Sequence, residues 1–72
     1  MYTVYGRSGC EYCDKALDLL DECGLAYKYI PLDVHRERLV WFKEIRGFTK
    51  VPQVFLGDTH IGGYTELEAS LK

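Results

Sequence analysis

Two cysteines separated by two residues, Cys10 and Cys13 in GRSGCEYCDKA, stand where a strand-like segment gives way to a helix-like one. The residues before them, YTVY at 2–5, are aromatic and β-branched, the composition of a buried strand. Gly6 to Gly9 is a loop. From Glu11 onward Cys13, Ala16, Leu17 and Leu20 recur at helical spacing, while Asp14, Lys15, Asp18 and Asp21 face away, and Gly24 offers a stop. Residues 26–32, AYKYIPL, read as a second strand with Pro31 near its end. A strand, a helix and a strand in so short a span make a parallel pair joined by a right-handed crossover. The cysteine pair therefore belongs to the first turn of a β-α-β unit.

The remainder completes one small sheet. Asp33 is expected to cap a helix over about residues 35–46, on which Leu39, Phe42 and Ile45 share a face, with Gly47 ending it. QVFL at 53–56 is a short strand, Gly57-Asp58 a tight turn into THI, and Gly62-Gly63 opens a last helix carrying Tyr64, Leu67 and Leu71 on one face. The expected order is β-α-β-α-β-β-α, an α/β fold with a four-stranded mixed sheet flanked by three helices on both faces. Residues 1–72 form a single domain in this reading, near the lower size limit for folding on a hydrophobic core alone.

Composition removes several classes of function. The net charge is −2 and acids and bases are interspersed along the chain, with no basic stripe of the kind nucleic acid requires. No apolar run is long enough to span a membrane. Residues 1–5 lack the basic and hydrophobic regions of a secretory signal, so a reducing, cytoplasmic setting is the expectation, and in it a static disulfide is disfavoured. A metal site would need four ligands, but no second cysteine pair exists and Cys23, His35 and His60 are scattered at spacings that fit no zinc pattern. Neither histidine has a visible triad partner. The preferred reading is a redox couple. Cys10, at a helix N-terminus and near Arg7, is the thiol whose thiolate is stabilised, and Cys13, one turn later, is placed to resolve a mixed disulfide. A cysteine pair between the first strand and helix of such a unit is the thioredoxin-like redox pattern.

Three blocks, YGRSGCEYC, KVPQVF and HIGGYTEL, together resemble a dithiol glutaredoxin, in that family's order and approximate spacing over nearly the whole chain. The resemblance implies a thioredoxin fold and reduction of protein disulfides and glutathione mixed disulfides, with glutathione as co-substrate and no metal. It implies Cys10 as nucleophile and Cys13 as resolving thiol. Val51-Pro52 resembles the family's cis-proline turn, whose free backbone groups pair with an extended ligand. Gly63, Tyr64 and Thr65 follow Gly62 where the family holds the γ-glutamyl carboxylate of glutathione, and Arg7, aided by Lys50, stands near the place of its glycyl carboxylate. Tyr12 would form a groove wall. Partners implied are glutathione and disulfide-containing or glutathionylated proteins, ribonucleotide reductase among them, with the protein acting as a monomer. The short chain fits a compact viral or bacterial member. Two alternatives accompany this reading: reduction by thioredoxin reductase, and a glutathione-ligated iron–sulfur carrier. The sequence departs from the family at Glu11, where proline is common, and at Lys50, where threonine is common.

Overall fold

The computed structural model describes residues 1–72. The elements are β1 (Tyr2–Gly6), α1 (Glu11–Glu22), β2 (Tyr27–Pro31), α2 (Arg36–Val40) running into a π-helical turn (Trp41–Ile45), β3 (Gln53–Leu56), β4 (Thr59–Gly62) and α3 (Tyr64–Ser70). The sheet order is β2-β1-β3-β4. β1 pairs parallel with β2 and antiparallel with β3, which pairs antiparallel with β4. This is the mixed sheet and element order that the sequence pattern predicts. Pro31 ends an edge strand, where a missing N–H costs no ladder bond.

The two central strands divide the core by simple alternation. Val4 and Val54 point to one face and meet Ala16, Leu20 and Leu67 from α1 and α3. Their neighbours Tyr5 and Phe55 point to the other, where Ile30, Leu32 and Phe42 complete a second cluster. Each face of the sheet thus has its own apolar layer, and no polar or charged residue is buried in either. Leu17, expected among the buried residues of α1, is half-buried at the margin of the first cluster.

The second helical segment departs from expectation in two ways. First, the span expected as one helix over 35–46 is α-helical only to Val40 and then widens into a π turn. The Arg46 N–H donates to the Trp41 carbonyl at 3.1 Å, five residues back instead of four. The extra residue rotates everything beyond it, so the spacing that places Phe42 in the core no longer places Ile45 there. Ile45 is 72% exposed and Phe42 only 2%. Second, Asp33 does not cap this helix. His35 is the N-cap residue and makes no side-chain capping bond. Asp33 instead accepts a hydrogen bond from Ser8 Oγ at 2.7 Å, tying the loop after β1 to the end of β2.

Two outcomes are expected from this packing. Leu20→Ala empties a fully buried position between sheet and helix layer, and should lower the unfolding free energy in urea by about 3 kcal/mol. The Ser8 hydrogen bond, helped by nearby Arg7, holds the Asp33 carboxyl below the usual carboxylate range. A carboxyl lowered by folding adds stability above its unfolded value, and that stability is lost as pH falls through the lowered folded value. Ser8→Ala should therefore move the Asp33 titration, followed by carboxyl carbon chemical shift, to higher pH. An unchanged titration would show that the tie does not persist in solution.

Candidate active site

Cys10 is the N-cap residue of α1, with extended backbone angles, and its Sγ accepts the Cys13 N–H at 3.2 Å. A sulfur in this position meets the unpaired N–H groups and the positive end of the helix dipole, which favour an anion. Cys10 is half-buried, whereas Cys13 is fully buried beneath it. The two form a disulfide, with Cα atoms 5.2 Å apart, inside the ordinary range for such a bond. The chain makes room for this at Gly6. A Cβ there would lie 3.0 Å from Cys13 Sγ and 2.9 Å from a Tyr29 ring carbon, so only glycine lets β1 end directly under the cysteine.

A cleft of about 460 Å³ opens at Cys10. Arg7, Lys50 and Val51 line it, and so do Asp33, Leu39, Phe42, Lys43 and Thr49. The Val51–Pro52 peptide bond is cis. The Val51 carbonyl oxygen lies 4.0 Å from Cys10 Sγ, and neither the Val51 N–H nor its carbonyl takes part in a backbone–backbone hydrogen bond. Both groups are therefore available to an extended ligand lying across the cleft.

The remaining sequence-nominated residues, Tyr12, Pro52, Gly63, Tyr64 and Thr65, do not line this cleft. Tyr12 and Tyr64 pair at 5.8 Å between ring centroids, joining the start of α1 to the start of α3. Gly63 is the N-cap of α3, and its N–H donates to the chain's own Glu66 Oε1 at 2.7 Å. That contact explains Gly62. Its φ is +128°, and a Cβ would fall 2.7 Å from Glu66 Cγ. Gly62 is thus demanded by its backbone angle and by Glu66 folding back over the helix start, whereas a Cβ at Gly63 would meet only Glu66 Oε1 at 3.3 Å and the Pro52 carbonyl oxygen at 3.5 Å. Burial and the adjacent Glu68 carboxylate push the Tyr64 phenol up.

Lys43 and Thr49 were not singled out by sequence. Both lie on segments whose placement depends on the π turn and the loop that follows it, and a helical period gives no sign of that. Glu11, the departure from the common family pattern, has its carboxylate 3.5 Å from Lys15 Nζ one turn along α1, which offsets part of its charge beside Cys10. No three His, Cys, Asp or Glu side chains converge as a metal-binding group.

A glutaredoxin family model matches residues 2–61. Among curated relatives, the chain is 36% identical to a glutaredoxin of Neisseria meningitidis over 66 residues, covering 90% of this chain and 78% of that protein. It is 35% identical to glutaredoxin 1 of Escherichia coli, covering 96% of this chain and 89% of that one. A hybrid peroxiredoxin of Haemophilus influenzae is 41% identical over 92% of this chain, which spans only 27% of that longer protein. Among solved structures, glutaredoxin 1 from Francisella tularensis superposes with a TM-score of 0.83 at 32% identity, covering 97% of this chain and 90% of its own. A buckwheat glutaredoxin–glutathione complex gives 0.83 at 29% identity, covering 97% of this chain and 66% of that one. With a family match over most of its length and relatives it nearly spans, this chain belongs to the glutaredoxin family, whose members are thiol–disulfide oxidoreductases.

Proposed function

We propose that this protein reduces protein disulfides and glutathione mixed disulfides at the Cys10–Cys13 pair, with glutathione restoring the dithiol. The observation that carries the reading is the unequal setting of the two thiols. Cys10 is at the mouth of a positively lined cleft and caps a helix, while Cys13 is sealed beneath it at bonding distance. In the reduced protein the Cys10 thiolate attacks one sulfur of the substrate disulfide. A Cys10–sulfur bond forms, and the other substrate sulfur leaves as a thiolate that takes up a proton. Cys13, deprotonated, then attacks Cys10 Sγ, the second substrate thiol departs, and the Cys10–Cys13 disulfide remains. Two glutathione thiols reverse this in two exchanges, leave as glutathione disulfide, and return the two electrons.

Glutathione fits the cleft in charge and shape. It is an extended peptide with two carboxylates, and the walls supply Arg7, Lys43 and Lys50 together with the unpaired backbone groups of Val51. The similarity to a glutaredoxin solved with glutathione supports the same placement. Gly63, Tyr64 and Thr65 would receive the second carboxylate only if Glu66 gives up its bond to the Gly63 N–H. Tyr12, outside the cleft and 54% exposed, would meet the substrate's far side. This reading places the protein in a reducing cytoplasm as a monomer, with ribonucleotide reductase among the proteins it serves. The deciding experiment is an NADPH-coupled assay comparing glutathione plus glutathione reductase with thioredoxin reductase alone. Turnover with thioredoxin reductase only would overturn the glutathione reading.

The two cysteines should separate by substrate. Cys10→Ser should abolish all activity. Cys13→Ser should keep deglutathionylation, because free glutathione can release a Cys10–glutathione adduct, but should lose most dithiol reduction of protein disulfides. The adduct should be visible by intact mass, and equal loss of both activities in the two variants would contradict these roles. Arg7 is exposed, so Arg7→Ala should raise KM for a glutathionylated substrate about two- to fivefold at low salt and less at high salt. An unchanged KM at low ionic strength would remove Arg7 from the ligand site.

A further inference from the structure

The charges that alternate along the sequence separate in the fold. α1 and α3, which cover one face of the sheet, hold seven Asp and Glu residues and a single lysine. All other segments together hold four acids and eight Lys and Arg residues. The cysteine pair lies on the boundary, with the basic cleft on one side and the acidic helix layer on the other. On the acidic side a groove of about 260 Å³ runs between α1 and α3, lined by Lys15, Asp18, Leu19, Glu22 and Tyr64. Tyr12, 54% exposed and paired with Tyr64, bridges the space between Cys10 and that groove. Lys15 Nζ already rests 4.8 Å from the Tyr12 ring centroid, which shows how a cation is accommodated there.

We propose that the α1–α3 groove docks a protein substrate as an extended segment bearing Lys or Arg four or five residues from its disulfide cysteine. The charge of the surface selects the partner's sign, and its aromatic rim offers contact next to the nucleophile. The geometry sets the spacing. Along α1, Asp18 and Glu22 lie roughly 12 and 18 Å beyond Cys10 at the helical rise. An extended chain covers the first distance in about four residues and the second in about five or six. Successive side chains point to opposite faces, so a substrate cysteine bonded to Cys10 brings the fourth side chain over Asp18 or, with the other face turned inward, the fifth toward Glu22. The cations of the cleft, Arg7, Lys43 and Lys50, stay available to an anion such as glutathione, while Asp18 and Glu22 face only the protein substrate. This inference rests on the dithiol reading above and not on glutathione dependence.

The test omits glutathione. Pre-reduced protein is mixed with peptide disulfides that differ only at the fourth and fifth residues from cysteine, which are Lys, Ser or Glu. Each rate constant is divided by that of dithiothreitol with the same peptide, and hydroxyethyl disulfide serves as a substrate too small to reach the groove. The Lys peptide should react about tenfold faster than the Glu peptide at low salt, and the ratio should collapse at high salt. Asp18→Asn combined with Glu22→Gln should lower the ratio and leave hydroxyethyl disulfide unaffected, and Lys15→Gln should raise the ratio, in which any change of Cys10 reactivity from the freed Glu11 cancels. Opposite responses from the two variants cannot come from loss of folding. Equal rates for Lys and Glu peptides, a preference for Glu, or a Lys preference that ignores both variants would overturn the proposal. Failure of the wild-type protein to reduce hydroxyethyl disulfide would overturn the dithiol reading beneath it.

Discussion

The hydrogen bond from the Cys13 N–H to Cys10 Sγ is the contact on which the site depends. It makes a sulfur do what Ser, Thr or Asp does at most helix starts, satisfying an N–H that would otherwise be unpaired. The same bond places the two sulfurs within one turn and gives them different surroundings, one facing a cleft and one facing the core. A dithiol needs that difference. In the proposed cycle the half-buried Cys10 sulfur would meet the substrate disulfide, and the buried Cys13 would act only on what is already attached to its neighbour.

Holding α1 in that position is the work of the strand beneath it. β1 is interior to the sheet, paired on both sides, and its Val4 and Tyr5 feed the two opposite apolar layers. Gly6 closes the strand under Cys13, where any side chain would collide with the sulfur or with Tyr29. The next turn is then fastened by Ser8 to Asp33 at the end of β2. The reactive loop is thus anchored at its start by sheet packing, in its middle by one polar tie and at its end by the helix cap. A short chain holds a defined geometry here with one loop and no metal-binding cluster.

Asymmetry also governs the surroundings. The positive cleft, with Val51 presenting unpaired backbone groups beside Cys10, suits an anionic extended ligand. Across the cysteines, the acidic helices and the Tyr12–Tyr64 pair present a surface of opposite character. Glu66, folded onto the Gly63 N–H, occupies the start of α3 with the protein's own carboxylate. An incoming carboxylate would have to compete with it there, whereas Arg7 and Lys50 carry no ion pair within bonding distance.

What the sequence by itself determined is everything governed by short-range periodicity and local chemistry. The alternation in YTVY and QVFL, the apolar stripe of α1 and the Gly57-Asp58 turn specify elements, their order and hence the mixed sheet, and the CxxC spacing specifies a dithiol at a helix start. The three blocks of resemblance brought in Arg7, Lys50 and Val51, which do meet Cys10 at one cleft. Only the tertiary structure decided the rest, because it depends on contacts between residues far apart in sequence. Ile45 left the core when the π turn, with its five-residue backbone bonding, rotated the chain after Val40. Asp33 abandoned its helix for Ser8, 25 residues away. Lys43 and Thr49 entered the cleft on segments no local period places. The sorting of interspersed charges into an acidic helical layer and a basic remainder had no trace along the chain, since it arises only when α1 and α3 pack side by side on one face of the sheet.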